Sequence, residues 1–258
     1  MKKYIALILT GIMMLGLLAG CGASGSNELG LVEDGKLIMS TNAAFPPYEM
    51  TTDDGGFEGI DVEIAGAIAE KLGLELEIDD MDFDSALLAV QQSKSDIVMA
   101  GVSVTDDRQL VMSFSDSYAT GIQVVIVKEG SDVTMDNLGE KMIGCQRGTT
   151  GYIYASDTPE NGGYGEDHVT AFDNGASAVQ ALVNGQVDCV IIDSAPAAEF
   201  VKANAGLTLL DGNWVEEEYA IGMNLNNDAL REAVNNALKE LTEDGTVQKI
   251  IDKYITAE

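Results

Sequence analysis

The residues of this 258-residue chain that could do chemistry are charged and aromatic side chains placed where apolar segments end. Arg108 can bind a carboxylate through two parallel hydrogen bonds. Asp193 can accept hydrogen bonds from an ammonium group, and Phe45 and Phe83 offer aromatic faces. A free α-amino acid would match this set, because burying a zwitterion requires a partner for each of its charges.

A predicted helix that begins at Thr149 adds free backbone N–H groups, which can face the same carboxylate as Arg108. Each residue also has a structural interpretation. Arg108 could be a solvated surface charge, and Asp193 could serve solely as the cap of the next helix. The two phenylalanines could belong to the core.

The charge of the chain excludes several classes of function. Fourteen Lys and Arg residues stand against 43 Asp and Glu residues, which gives a net charge of −29. Such a polyanion repels nucleic acids and anionic lipid head groups, so we expect no nucleic-acid partner and only a covalent or apolar membrane attachment. One His and three Cys leave little material for a zinc site, and no metal or cofactor is expected.

The elements that must position these residues alternate between strand and helix, which predicts an α/β fold with two mostly parallel sheets covered by helices. Ligands in such folds bind beyond the carboxyl ends of the strands. Asp61 and Asp116 are assigned to helix capping and turns. The predicted strands are 36–41, 74–78, 96–99, 122–127, 141–145, 169–172, 189–192 and 219–223. The predicted helices are 61–72, 84–92, 105–110, 149–155, 175–184, 195–203, 227–242 and 245–254.

The first 20 residues have the features of an export signal. Two lysines precede an uncharged apolar stretch over 5–18, which is short for a permanent membrane span. The stretch ends in LAGC at 18–21, which resembles a bacterial lipobox and implies cleavage before Cys21 and lipidation of its thiol. Residues 22–27 (GASGSN) are typical of a flexible tether.

Seven segments, taken in order, resemble the extracellular amino-acid-binding proteins of ABC importers, which have the type II periplasmic-binding fold. The resemblance covers about residues 36–255. The segments are FPPYE at 45–49, GFEGIDVE at 56–63, MDF at 81–83, AGVSVTDDR at 100–108, FSDSY at 114–118, GTTG at 148–151 and DCVIID at 188–193.

The resemblance implies a role for each matching residue. Arg108 matches the arginine that holds the ligand's α-carboxylate, helped by Ser103 and the backbone at Gly101, while Thr150 supplies the contact from the second lobe. Asp193 matches the acid that binds the α-ammonium group. The implied ligand-binding residues are Asn42, Phe45, Phe83, Ala100, Gly101, Ser103, Arg108, Gln146, Thr150 and Asp193.

The implied organisation is two lobes around a cleft. A signal peptide (1–20) and a lipidated tether (21–35) precede the first part of lobe 1 (36–120). Lobe 2 follows (121–218), and residues 219–258 return to lobe 1. The resemblance places hinge strands near 118–122 and 219–222. It implies no enzymatic activity, a lipid-anchored monomer on the outer face of the cell membrane, and permease subunits with their ATPase as partners.

The identity of the amino acid stays open. Members that bind basic amino acids often carry an acid where this chain has Asn42, which favours a neutral polar ligand such as glutamine or cystine. Glu49 could still serve a cationic side chain, so arginine, lysine and histidine remain alternatives, as do a dehydratase or a sensor of the same fold. Cys145 and Cys189 are expected to be buried thiols, with a disulfide as the alternative.

Overall fold

The computed structural model describes residues 27–255, so the predicted signal segment and Cys21 lie outside the described residues. The strands are β1 (Lys36–Thr41), β2 (Ala44–Phe45), β3 (Glu49–Thr51), β4 (Phe57–Glu58), β5 (Glu75–Asp80), β6 (Ile97–Val98), β7 (Met112–Lys128), β8 (Ile143–Gln146), β9 (Val169–Phe172), β10 (Cys189–Asp193), β11 (Leu207–Leu209) and β12 (Val215–Asn224). The α-helices are α1 (Ile60–Leu72), α2 (Phe83–Gln91), α3 (Asp106–Gln109), α4 (Thr150–Ser156), α5 (Gly175–Val183), α6 (Ser194–Ala203), α7 (Asp228–Glu243) and α8 (Thr246–Tyr254).

The main sheet has the strand order β5-β1-β6-β12-β7-β10-β8-β9, and β11 pairs with β7. Strands β5, β1 and β6 are parallel, and we call them, with the helices that cover them, the first half. Strands β10, β8 and β9 are also parallel and form the second half. Strands β12 and β7 lie between the halves and run antiparallel to each other and to their neighbours. The predicted α/β class with two mostly parallel arrays is confirmed.

The two connecting strands are longer than the sequence predicts. β7 covers 17 residues and pairs with β12 from Gln123–Val215 to Met112–Asn224. The pairing shifts register between Tyr219 and Ala220 and again between Ala220 and Gly222. Asp116, predicted in a turn, lies inside β7, so that assignment is wrong. The prediction missed this half of β7 because four of the five residues over 113–117 (SFSDS) are polar.

Helix α1 begins at Ile60 and buries Ile64 and Ile68 on one face, because residues four apart share a helix face. Gly59 precedes the helix, and no side chain caps it. The prediction that Asp61 caps α1 is therefore wrong. Asp61 is fully buried and points into the protein instead. Helices α7 and α8 pack on α1, so the C-terminal segment lies with the first half.

The core of the sheet consists of aliphatic side chains that the strands bury on both faces, such as Leu37, Ile97 and Val190. Cys145 and Cys189 are free and buried, as expected from their apolar surroundings. No helix within residues 27–255 is long and apolar enough to cross a membrane.

Candidate ligand-binding cleft

One cavity at the carboxyl ends of the strands collects every residue that the sequence indicates for ligand binding. It lies between the two halves, where β1, β6, β8 and β10 end. The predicted residues in its wall are Asn42, Phe45, Phe83, Ala100, Gly101, Ser103, Arg108, Gln146, Thr150 and Asp193. Five further residues line it that were not in this predicted set, although the sequence had offered Glu49 for a cationic side chain and Thr149 as a helix start; the five are Glu49, Gln123, Thr149, Ile191 and Ile192.

Arg108 is placed by the short helix α3. The Thr105 side chain caps α3 by accepting a hydrogen bond from the Arg108 backbone N–H at 3.2 Å. The guanidinium is only 8% exposed and stacks over Phe83 at 5.4 Å. Burial lowers the pKa of Arg108 from its ordinary value, and the charge of nearby Glu217 opposes that shift. The interpretation of Arg108 as a solvated surface charge does not hold.

Direct hydrogen bonds join the two halves across the cavity. Arg108 Nη1 donates to the Ser103 carbonyl in the first half at 2.9 Å, and Nη2 donates to the Gly148 carbonyl in the second half at 3.1 Å. Gln146 Nε2 donates to Asn42 Oδ1 at 2.9 Å. Asn42 and Gln146, both predicted to face a ligand, are therefore paired with each other. The halves are in a closed arrangement.

Asp193 ends β10 and has one carboxylate oxygen free. Gln123 Nε2 donates to Oδ2 at 2.8 Å, whereas Oδ1 is buried and has no partner among the described residues. The side chain makes no capping bond to α6, so helix capping does not account for it. Burial, with a contribution from the charge of Glu217, raises the pKa of Asp193 to about 7, and the hydroxyl of Tyr219 and the amide of Gln123 oppose this rise. A cationic group in the cavity would favour its ionised form.

Glu49 is a second buried carboxylate in the cavity wall. It begins β3 and is fully buried, and neither of its oxygens has a hydrogen-bond partner among the described residues. Burial and the charges of Asp61, Asp80 and Asp193 raise its pKa well above the ordinary value. The small antiparallel sheet β2-β3-β4 accounts for this burial. The sequence offered Glu49 only as a partner for a cationic side chain, and its neighbours along the chain do not show that it is buried.

Asp61 supports the cavity from behind. It accepts hydrogen bonds from Tyr118 Oη at 2.7 Å and from the Gly101 backbone N–H at 2.9 Å. Gly101 adopts a φ of 55°, and a Cβ atom there would lie 2.7 Å from Phe45 Cε1. Asp61 thus fixes a turn that only glycine fits. Burial raises the pKa of Asp61 to about 6, and its two donors limit that rise.

Gln123 and Glu217 lie in β7 and β12, and the sequence indicates neither. Gln123 Nε2 donates to both Asp193 and Glu217, so it links two carboxylates at the side of the cavity. Both residues sit in strands, where alternating side chains point to opposite faces. Which face turns toward the cavity depends on the pairing of β7 with β12, and the sequence does not show that pairing.

Comparison with known proteins agrees with this geometry. The chain is 33% identical over 267 residues to the "Probable histidine-binding protein" of Neisseria gonorrhoeae, covering 100% of this chain and 97% of that protein. It is 29% identical over 258 residues to the "L-cystine-binding protein TcyJ" of Escherichia coli strain K12, covering 97% of this chain and 95% of that protein.

Among solved structures, the chain resembles the arginine-, lysine-, histidine-binding protein ArtJ from Geobacillus stearothermophilus. The TM-score is 0.80 at 32% identity, and the match covers 86% of this chain and 96% of that one. Similarity at this level supports the type II periplasmic-binding fold. The model of the bacterial extracellular solute-binding proteins, family 3, matches residues 37–257. The chain belongs to this family of extracellular solute-binding proteins.

Proposed function

We propose that the chain binds a free amino acid in the cleft and delivers it to the permease subunits of an ABC importer. The observation that carries the proposal is the pair of opposite charges, Arg108 and Asp193, in one buried cavity. Arg108 binds the α-carboxylate, and the unpartnered Oδ1 of Asp193 accepts from the α-ammonium group. No acid or base in the cavity needs a catalytic role in this account.

Binding proceeds by closure of two lobes. The first half corresponds to lobe 1 and the second half to lobe 2, with a hinge where β7 and β12 cross between them. Support comes from the register shifts at Tyr219–Ala220 and Ala220–Gly222, where the regular ladder is interrupted. The open state exposes half of the site on each lobe, and the ligand stabilises the closed state that the permease recognises.

Glu49 favours a cationic side chain on the ligand, such as that of arginine, lysine or histidine. A buried carboxylate without a partner is costly, and a ligand cation would supply that partner. Glu49 and Asp193 both lie in the cavity wall, so a ligand with two positive groups would supply a partner to each carboxylate. The names of two relatives, which refer to histidine and to arginine, lysine and histidine, agree with this choice.

A neutral polar amino acid such as glutamine or cystine is the second candidate. The Asn42–Gln146 pair lines the cavity and could reorient to hydrogen-bond an amide or a backbone-like group. Glu49 would then stay protonated, consistent with its raised pKa. The relative whose name refers to L-cystine supports this alternative.

A thermal-shift screen against the twenty amino acids, ornithine and cystine tests the proposal. A ligand that binds only the folded state raises the Tm by an amount that grows with its concentration relative to its Kd. We expect the largest rise with a basic amino acid. A larger rise with glutamine or cystine would favour the second candidate. No rise with any of them would contradict amino-acid binding altogether.

We further propose that the mature protein is a monomer, anchored on the outer face of the membrane by a lipid on Cys21. The support is the LAGC segment at 18–21 and membership of an extracellular family. In a bacterial expression strain, wild type should partition into the detergent phase of Triton X-114. Cys21→Ala should remain in the aqueous phase. Equal partition of the two would contradict the anchor.

A further inference from the structure

Glu217 lies at the junction of the two halves, on the strand that connects them. It belongs to β12 and pairs with Gly121 of β7, beside the register shift at Tyr219. Its side chain is only 8% exposed, which is unusual for a glutamate without an ion pair. The ligand-binding account gives it no role.

Three donors from three parts of the molecule converge on one oxygen of this carboxylate. Ser103 Oγ of the first half donates to Glu217 Oε2 at 3.0 Å. Thr150 Oγ1 of the second half donates to it at 2.8 Å, and Gln123 Nε2 of β7 donates at 3.1 Å. Hydrogen bonds to an ionised acceptor are about twice as strong as those between neutral groups. Glu217 therefore ties both halves to the strand pair that joins them.

These bonds also determine which donors a ligand can use. A hydroxyl carries a single proton, and Ser103 and Thr150 both give theirs to Glu217. Besides backbone N–H groups, a ligand carboxylate then depends on Arg108, which has five N–H donors and uses two on the Ser103 and Gly148 carbonyls. Three N–H groups of Arg108 remain for the ligand.

Glu217 also supplies the main negative charge near Arg108. Burial penalises the guanidinium, and Glu217 contributes most among the neighbouring charges that oppose this effect. A buried cation needs such a counter-charge when no ligand is bound. The same residue thus offsets the charge of Arg108 and holds the hydroxyls on either side of the cleft.

We propose that Glu217 is a positioning residue that fastens the closed cleft from within, by bridging Ser103 and Thr150 through one carboxylate oxygen. The closed state is then partly populated without ligand, which reduces the share of ligand binding energy spent on closure. Because the bridge engages both hydroxyls, they do not donate to the ligand carboxylate. They contribute to ligand affinity by stabilising the closed state. The ligand-dependent part of this inference rests on the proposed function, whereas the ligand-free part does not.

Two variants separate the hydrogen-bond bridge from other effects of the side chain. Glu217→Gln can place its amide oxygen where Oε2 lies and keep all three hydrogen bonds, while it removes the charge. Glu217→Met has a similar length and no comparable acceptor, so it removes the bridge. If Glu217→Met only loosened the packing, its Tm would fall, but its radius of gyration would stay equal to that of Glu217→Gln.

The experiment is small-angle X-ray scattering of the ligand-free proteins, stripped by partial unfolding and refolding. We expect the radius of gyration of Glu217→Met to exceed that of wild type, and that of Glu217→Gln to match wild type. Should Glu217→Met not fold, Thr150→Val breaks the second-half arm alone and should shift the radius in the same direction. Equal radii for wild type and the bridge-breaking variant, or an equal shift in Glu217→Gln, would overturn the proposal.

A kinetic measurement extends the test to ligand binding, with L-arginine as the probe. We expect the dissociation rate to rise roughly tenfold in Glu217→Met, as for the loss of about one hydrogen bond to a charged group, and by less in Glu217→Gln. The association rate should change little. If wild type does not bind L-arginine, the proposed ligand class fails, and the scattering result alone decides the bridge. An unchanged dissociation rate in Glu217→Met, with L-arginine bound by wild type, would contradict it.

Discussion

The two ends of the cleft differ in how the protein satisfies its own polar groups. At the Arg108 end, the guanidinium donates to two carbonyls, and the hydroxyls of Ser103 and Thr150 donate to Glu217. At the other end, both oxygens of Glu49 and Oδ1 of Asp193 are buried without partners among the described residues. The first end is already joined across the cleft without a ligand and leaves one carboxylate oxygen, Glu217 Oε1, without a partner, whereas the second end leaves three.

This difference indicates that the two ends of the cleft have different roles in binding. The Arg108 end joins the two halves, so substitutions there should alter both the closure of the cleft and the binding of the ligand carboxylate. The Glu49–Asp193 end leaves three carboxylate oxygens without a hydrogen bond, and a ligand with positive groups would supply donors to them. Changes at that end should therefore alter which amino acid binds and how binding depends on pH.

The largest effect should come from Arg108→Ala, because it removes the guanidinium that binds the ligand carboxylate and the hydrogen bond to Gly148 that joins the two halves. Truncating one partner of a buried charge pair costs on the order of 2–5 kcal/mol, about 30-fold or more in Kd. Arg147→Ala is the matched control, since it removes the same charge from an exposed position next to the cleft. Calorimetry should find its Kd close to that of wild type. Equal losses in the two variants would show that overall charge, and not the Arg108 contact, controls binding.

Glu49→Gln should separate the two candidate ligand classes. If the ligand carries a cationic side chain, the Kd for L-arginine should rise about tenfold or more, because a hydrogen bond to a charged group contributes about 1.5–3 kcal/mol. The Kd for L-glutamine should change less. Glu58→Gln removes one charge from an exposed position on β4 and serves as the control. An L-arginine Kd that is the same in Glu49→Gln and wild type would remove Glu49 from the ligand's side-chain site.

A smaller effect is expected from pH. Asp193 and Asp61 have pKa values of about 7 and about 6 in the folded protein, above the value near 4 of an unfolded aspartate. The folded state therefore binds more protons between about pH 4 and 7, and this contribution to the free energy of unfolding falls as pH rises through that window. Binding of the ligand's α-ammonium group requires ionised Asp193, so the affinity of the protein for the ligand should rise with pH over the same window.

The measurement is the Tm at pH 5.5 and pH 8, each with and without L-arginine. The rise in Tm caused by the ligand should be larger at pH 8, and Asp193→Asn should reduce that difference. A ligand effect that is equal at both pH values, or larger at pH 5.5, would show that binding does not depend on ionising Asp193.

The sequence predicted most of the cavity wall through the family resemblance and because several of its residues follow apolar strands directly. Asn42 comes after β1, and Gln146 and Asp193 end β8 and β10, so strand prediction alone brings them to one edge. The same reasoning located Arg108, since Thr105 marks the start of α3. These positions depend on local sequence.

The features of the site that the sequence did not show depend on long-range pairing. Glu217 faces the cleft because of the register between β12 and β7, and Glu49 is buried because the small sheet β2-β3-β4 folds over it. Asp61 was assigned to a helix cap from its position at the start of α1. Its contacts come instead from Tyr118 and Gly101, 57 and 40 residues away along the chain.

The most direct test of the central claim compares an amino acid with its decarboxylated amine. Calorimetric titration of the stripped wild-type protein with L-arginine and with agmatine isolates the α-carboxylate, because the two ligands share the guanidinium side chain. If Arg108 binds that carboxylate, L-arginine should bind at one site, and the Kd of agmatine should be about 30-fold weaker or more, as for a lost buried charge pair. Agmatine binding as tightly as L-arginine, or no binding of L-arginine, would contradict this account of the site.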